Sequence, residues 1–212
     1  MLAHYKRCSS GFTLIEIVVT LAIIGVLAAI LTPIVGKYID DARVTRASQE
    51  AQTIADAVLN FNKNTGKWPI FTTGVNPGTA TARYQVLSGP GTYPACDSAV
   101  ITCSAATWSA TGNSTETISN QLEFNKPGGT ANAYTTNGKF AWRGPYTENI
   151  GTDPWGYAYV VNSGALAFGV NQAAFVISAG PNSKIETAFA QSIGSGSSAF
   201  AIGGDDVVAR IR

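Results

Sequence analysis

The sequence predicts an α+β chain. One long N-terminal helix, membrane-spanning in its first half, packs on a C-terminal antiparallel β-sheet. Three observations carry that expectation. An apolar run from Phe12 to Val35 holds one charged side chain, Glu16. An apolar stripe at helical spacing follows it. Short apolar or alternating runs, separated by tight turn residues, fill the C-terminal part.

The helix begins in the apolar run. Its 24 residues would extend about 36 Å as an α-helix, more than the roughly 20 residues a bilayer core requires. The segment before it, "MLAHYKRCSSG", is short and polar and carries Lys6 and Arg7, which the positive-inside rule places on the cytoplasmic side. The run is too long for a secretory signal, and no small-residue cleavage site closes it. Pro33 interrupts the span near its outer end, where a lost backbone donor kinks or loosens a helix, a fault that lipid and helix bundles tolerate. Beyond Lys37 the pattern turns amphipathic: Ala47, Ala51, Ile54, Val58 and Phe61 recur at spacings of four, three, four and three. Asp40, Asp41, Arg43, Arg46, Glu50 and Asp56 lie largely off that stripe and read as a solvated face. Gly66 and Pro69 end the helix.

Residues 66–140 are rich in Gly, Thr, Ser, Asn and Pro and predict loops and short strands, with one short helix in "TISNQLEF" that packs Ile118 and Leu122 inward. "WRGPYTENIGTDPWGYAYVVNSG", Trp142 to Gly164, is a turn-rich segment feeding a strand; Pro154 presets a turn and Gly156 gives it conformational freedom. Trp155 and Tyr157 are expected to cover a sheet or helix edge. "YAYVV", "ALAFGV" and "AAFVIS" then read as an antiparallel meander, and "DDVVARIR" as a further strand. "GSGSSA" from Gly194 is a broken G-x-G-x-x-G without the strand and helix that motif requires, and it is set aside.

The motif "GFTLIE", Gly11 to Glu16, behind a short basic leader and ahead of an unbroken apolar helix, resembles the type IV prepilin motif shared by type IV pilins and type II secretion pseudopilins. The resemblance implies cleavage between Gly11 and Phe12 by a prepilin peptidase, N-methylation of the new terminus at Phe12, and Glu16 as the fifth residue of the mature chain. It also implies the pilin fold, with a leader at 1–11, an N-terminal helix at 12–65 whose residues 12–35 are transmembrane and filament core, and an exported globular domain at 66–212. A proline at the position of Pro33 is common in the family and suggests local bending or melting on assembly.

A carboxylate in hydrocarbon is costly unless paired. The nearest cation would be the α-amino group that cleavage creates at Phe12. Glu16 can meet its own terminus one turn away, or that of the next subunit in a staggered bundle, which would give the filament a register. Glu16 is therefore expected to serve assembly, not catalysis.

The segment "WRGPY…DPWG…Y" is similar to that of the major, G-type pseudopilin of type II secretion: Trp142, Arg143, Gly144, Pro145 and Tyr146 match, as do Asp153, Pro154, Trp155, Gly156 and Tyr159. The function expected is that of a structural subunit of a type II secretion pseudopilus, anchored in the inner membrane with its C-terminal domain in the periplasm and then polymerised to drive protein export. Its partners would be further copies of itself, the prepilin peptidase, an inner-membrane assembly platform with its ATPase, and minor pseudopilins. The alternative is a type IV pilus pilin, major or minor, for adhesion, motility or DNA uptake. In the pseudopilin family a loop after the meander binds calcium. Asp205 and Asp206 match its closing acids, and Asn182 stands where an Asp is expected. These three are the candidate ligands, chemically adequate for an ion that accepts six to eight oxygens; the alternative is that Asp205 and Asp206 face solvent before a strand.

With the leader removed, two of three cysteines remain, Cys96 and Cys103, with six residues between them. In an exported domain they read as one disulfide closing a surface loop, with two free thiols as the alternative. The only histidine, His4, also lies in the leader. Its loss leaves no Ser–His–Asp or Cys–His catalysis and no histidine-bound zinc, so no enzyme is expected. A net charge of +1 without a basic patch gives no case for a nucleic-acid partner.

Overall fold

The computed structural model describes residues 11–71, 83–104, 107–109, 115–129, 133–167, 169–193 and 200–212. The leader before Gly11, much of the loop-rich stretch after Phe71, and "GSGSSA" lie outside them. The chain divides into two compact units, one ending at Ala42 and one beginning at Arg43.

Helix α1 runs from Leu14 to Thr65, within one or two residues of the expected bounds. Asn62 accepts from the Gly66 N–H, and Gly66 takes a positive φ of 66°, the glycine C-cap that the sequence signals. In the first unit the helix is exposed throughout and continues through Pro33. The expected interruption is thus a missing donor inside an unbroken helix.

In the second unit Ala47, Ala51, Ile54, Val58 and Phe61 are all buried, as their spacing predicts, joined by Ala55 and Ala57. They pack on a sheet of β1 (Val86–Ser88), β3 (Thr115–Thr117), β4 (Val160–Val161), β5 (Phe175–Ser178) and β7 (Val207–Arg210), in the order β3-β1-β4-β5-β7. The fold is α+β and pilin-like. Strands β1, β4, β5 and β7 are antiparallel in turn, and β3 joins the edge parallel to β1. A second ladder pairs β2 (Ala95–Cys96) with β6 (Lys184–Ile185) in parallel.

Side chains alternate across the sheet. Leu87, Val161 and Val176 face α1 with Tyr159, Tyr134 and Ile118. Val86, Val160, Phe175 and Ile177 face the other way and meet Trp108, Ile185 and Phe189. β5 is buried on both faces, which is why "AAFVIS" reads as a continuous apolar run rather than an alternating one. The short helix α2 (Ile118–Leu122) buries Ile118 and Leu122 completely, as expected.

The meander departs from expectation at one place. "ALAFGV" is not a strand: Ser163–Leu166 form a 3-10 turn. Ser163 Oγ donates to the Tyr84 carbonyl at 3.1 Å, and the Gly164 N–H to the Gln85 carbonyl at 2.9 Å. These bonds tie the segment to the chain entering β1 and leave no ladder edge for it. The meander is β4-β5-β7.

Candidate functional site

The start of α1 is built from the expected processing motif. Gly11 and Phe12 are exposed and precede the helix. The Glu16 N–H donates to Thr13 Oγ1 at 3.3 Å, and the Thr13 hydroxyl reaches Glu16 Oε2 at 3.5 Å. Thr13-x-x-Glu16 has the spacing of a capping box. The motif therefore carries two functions in four residues: it opens the helix, and it places a carboxylate in the first turn, where the helix dipole favours negative charge. From Leu14 to Thr65 this is one helix long and apolar enough to cross a membrane. In the first unit its large apolar side chains are bare; Leu14 is 82% exposed, and Phe12 just before the helix 80%. Pro33 lies within it, next to Thr32, whose hydroxyl donates to the Ala28 carbonyl at 2.7 Å.

The "WRGPY…DPWG" segment folds around Asp153, a residue the sequence marked only as a match. Asp153 is buried at 3% exposure. Its Oδ1 accepts from the N–H groups of Trp155 and Tyr157 at 3.0 and 2.7 Å, and its Oδ2 from the Ser178 hydroxyl at 2.7 Å. One carboxylate thus shapes the Pro154-Trp155 turn and ties it to β5. Gly156 takes the positive φ, 89°, that closes the turn. Tyr146 stacks edge-on against Phe61 of α1 at 5.5 Å, and Trp142 Nε1 donates to the Gln121 carbonyl at 3.3 Å. The aromatic residues Trp142 and Tyr146 are therefore packing groups against the helix-side core.

Cys96 and Cys103 form the expected disulfide, with Cα atoms 6.0 Å apart. Cys96 lies in β2, whose partner β6 opens the C-terminal loop. The Asp97 N–H donates to the Ile185 carbonyl at 2.9 Å, and Lys184 Nζ meets Asp97 Oδ2 at 3.3 Å. The Ala99 N–H, helped by the Lys184 amine, holds the Asp97 carboxyl below its usual range against the opposing effect of desolvation.

The three candidate metal ligands come together in that loop. The Asn182 N–H donates to Asp205 Oδ2 at 3.0 Å. Asp206 Oδ2 accepts from the N–H groups of Glu186 and Thr187 at 2.9 and 2.6 Å. Asp206 is 7% exposed, so it is not the solvent-facing acid of the alternative. Burial pushes its carboxyl up to about 6, against the pull of its donors at Thr187 and Glu186, with the Glu186 carboxylate adding to the rise. Asp205 Oδ1 and Asp206 Oδ1 are buried and lack a hydrogen-bond partner. Two orphaned anionic oxygens suit a hard cation such as calcium. The amide oxygen of Asn182 is already engaged by the Lys184 N–H at 2.7 Å. Among the described residues no three His, Cys, Asp or Glu side chains converge as a ready-made metal site.

Comparison with known proteins agrees with the geometry at the N-terminus. Residues 6–32 match the family described as the prokaryotic N-terminal methylation motif. The chain is similar to the type IV major pilin protein PilE1 of Neisseria gonorrhoeae, 42% identical over 59 residues, which cover 28% of this chain and 36% of that one. It is similar to a fimbrial protein of Neisseria meningitidis serogroup B, 37% identical over 79 residues, covering 37% of this chain and 44% of that one. It is also similar to the type II secretion system core protein G of Pseudomonas aeruginosa, 41% identical over 64 residues, 30% of this chain and 45% of that one. The chain thus spans less than half the length of these relatives. No solved structure matches significantly. With its methylation motif, its bare apolar helix and these relatives, the chain carries the N-terminal signature of the type IV pilin and type II secretion pseudopilin superfamily.

Proposed function

We propose that this chain is a structural subunit of a type II secretion pseudopilus, processed by a prepilin peptidase between Gly11 and Phe12, methylated at Phe12, and polymerised through its N-terminal helix to drive protein export. The observation that carries the subunit role is the helix from Leu14 onward. Its first half is apolar on every side and bare in the isolated chain, and a helix apolar all round is buried in a membrane or against other helices. A helix that leaves the membrane needs partners of its own kind. The similarity to the core protein G of Pseudomonas aeruginosa and the "WRGPY…DPWG" segment support the secretion branch.

The mechanism is assembly. The subunit waits in the inner membrane with its C-terminal domain in the periplasm, held by residues 12–35. Cleavage frees the Phe12 amine. Glu16 pairs with the amine of a neighbouring subunit, which offsets the cost of a carboxylate in hydrocarbon, about 3 kcal/mol at the bilayer centre on insertion scales for comparable charges. Pro33 removes one backbone donor from the helix and gives the stack a place to bend. The assembly platform, its ATPase and minor pseudopilins complete the machine. In the C-terminal loop, calcium would take the orphaned oxygens of Asp205 and Asp206 beside Asn182, linking the β6 side of the loop to β7; it supplies charge neutralisation and no chemistry.

The test is deletion of the subunit. Loss of export of folded proteins with surface pili intact is the expected result. Loss of twitching or of surface pili with export intact would reassign the chain to a type IV pilus.

A further inference from the structure

The C-terminal loop contains a fourth polar side chain that the candidate ligand set omits. Glu186 follows β6 by one residue, and its N–H donates to Asp206 Oδ2 at 2.9 Å. Its own carboxylate turns back into the loop, where Oε2 accepts from Asn182 Nδ2 at 2.9 Å. A Cβ at Gly204 would overlap that carboxylate, and a Cβ at Gly203 would overlap the Glu186 carbonyl. The two glycines therefore let the Gly203-Gly204-Asp205-Asp206 backbone lie directly against Glu186. Asn182 thus bonds both the Asp205 and the Glu186 carboxylates, and the Glu186 N–H bonds that of Asp206.

Their charge is not balanced from within. The donors to these oxygens are backbone N–H groups and one amide, and the nearby Lys184 amine is drawn away to Asp97 Oδ2. Asp206 is more than nine-tenths buried and keeps one oxygen without a partner. A buried carboxylate left in that condition is costly, and a cation is the occupant whose chemistry removes the cost.

We propose that Glu186 is the third carboxylate of a calcium site closed by Asp205 and Asp206, supplying the negative charge that Asn182 does not. This rests on calcium being the occupant of the loop. Among the described residues no three acids converge, so in this proposal Glu186 exchanges the Asn182 amide for the ion on binding. Calcium suits the site better than magnesium, because it accepts many oxygens in flexible geometry and sheds water more readily.

The test is calcium titration by calorimetry on the full chain in detergent micelles, with the thermal transition followed in parallel. Glu186→Gln keeps an acceptor for Asn182 Nδ2, so the loop retains its hydrogen bonds while losing one charge. The wild type is expected to bind calcium and melt at higher temperature with it. Glu186→Gln is expected to weaken binding at least tenfold with an unchanged circular dichroism spectrum. Asn182→Asp in the Glu186→Gln background is expected to restore it, since total charge is then returned. Wild-type binding that Glu186→Gln leaves intact would overturn the role of Glu186 and leave calcium standing. No heat and no melting shift for the wild type at millimolar calcium would overturn both.

Discussion

The Tyr159 hydroxyl donates to Glu50 Oε2 at 2.6 Å, joining the sheet to the helix across 109 positions of sequence. Glu50 is held from the other side by Arg46 Nε at 2.8 Å, so both its oxygens are engaged. Burial, and then the Glu50 carboxylate, hold the Tyr159 phenol well above its ordinary range. A hydrogen bond to a charged group contributes about 1.5–3 kcal/mol. Glu50 is partly exposed, which discounts that toward the lower end. Tyr159→Phe is expected to destabilise the second unit by about 1–2 kcal/mol, and Glu50→Gln, which keeps an acceptor, by less. Denaturant unfolding followed by near-ultraviolet circular dichroism measures both.

Alkaline pH should find the same core. Burial, and then the Glu116 carboxylate, push the Tyr84 phenol up to about 12. Burial also raises Tyr93, Tyr134 and Tyr159. Their raised values mean that the folded state keeps protons the unfolded chain releases near pH 10. The stability these groups contribute is complete below about pH 10 and is lost as pH rises toward 12. Tyrosinate absorbance and loss of tertiary circular dichroism should rise together over that window. Ionisation of these four tyrosines near pH 10 in a still-native protein would contradict the burial assigned to them.

Asp153 tests the aromatic turn. It accepts three hydrogen bonds in a buried position, so Asp153→Ala strands the donors of Trp155, Tyr157 and Ser178. The expected loss is about 3 kcal/mol or more, read as a lower denaturant midpoint. Ser178→Ala removes one of those bonds and should cost about 1 kcal/mol.

The disulfide closes a loop of eight residues, Cys96 to Cys103. Chain entropy assigns such a loop about 2.5 kcal/mol. Replacing both cysteines by serine should lower stability by up to that amount. It should also speed hydrogen exchange at Asp97, whose N–H is bonded to Ile185 in the adjoining ladder.

Much of this fold was legible because helical spacing is a strong signal. Ala47 through Phe61 recur at the period of a helix, and every one is buried. β5 and β7 were legible from short β-branched runs bounded by turn residues. The loop-rich middle was not, because its order comes from single long-range contacts. Trp108 is fully buried, and its Nε1 donates to the Thr187 carbonyl at 2.7 Å, 79 positions away. Nothing local to "ATWSA" announces that. "ALAFGV" misled for a related reason: Ala165, Leu166 and Ala167 are buried as a strand's residues would be, but the Ala165 and Ala167 amides bond locally to Asn162 and Gly164, and the preceding Ser163 and Gly164 bond the chain before β1. At the candidate sites, Glu16 was legible as an isolated charge in an apolar run. Asp153 had a sequence cue, an acid before Pro-Trp-Gly. Glu50 and Glu186 had none, since the partner of each is set by tertiary packing.

In the proposed assembly Glu16 acts through its charge. Glu16→Gln keeps the Thr13-x-x-Gln spacing of a capping box, so the helix start should persist while the carboxylate is gone. The decisive measurement is the fraction of processed subunit recovered in sheared filaments from cells carrying that variant. Normal cleavage after Gly11 with filament yield reduced at least tenfold is the predicted result. Wild-type filament yield from the Gln variant would show that assembly does not need the Glu16 charge.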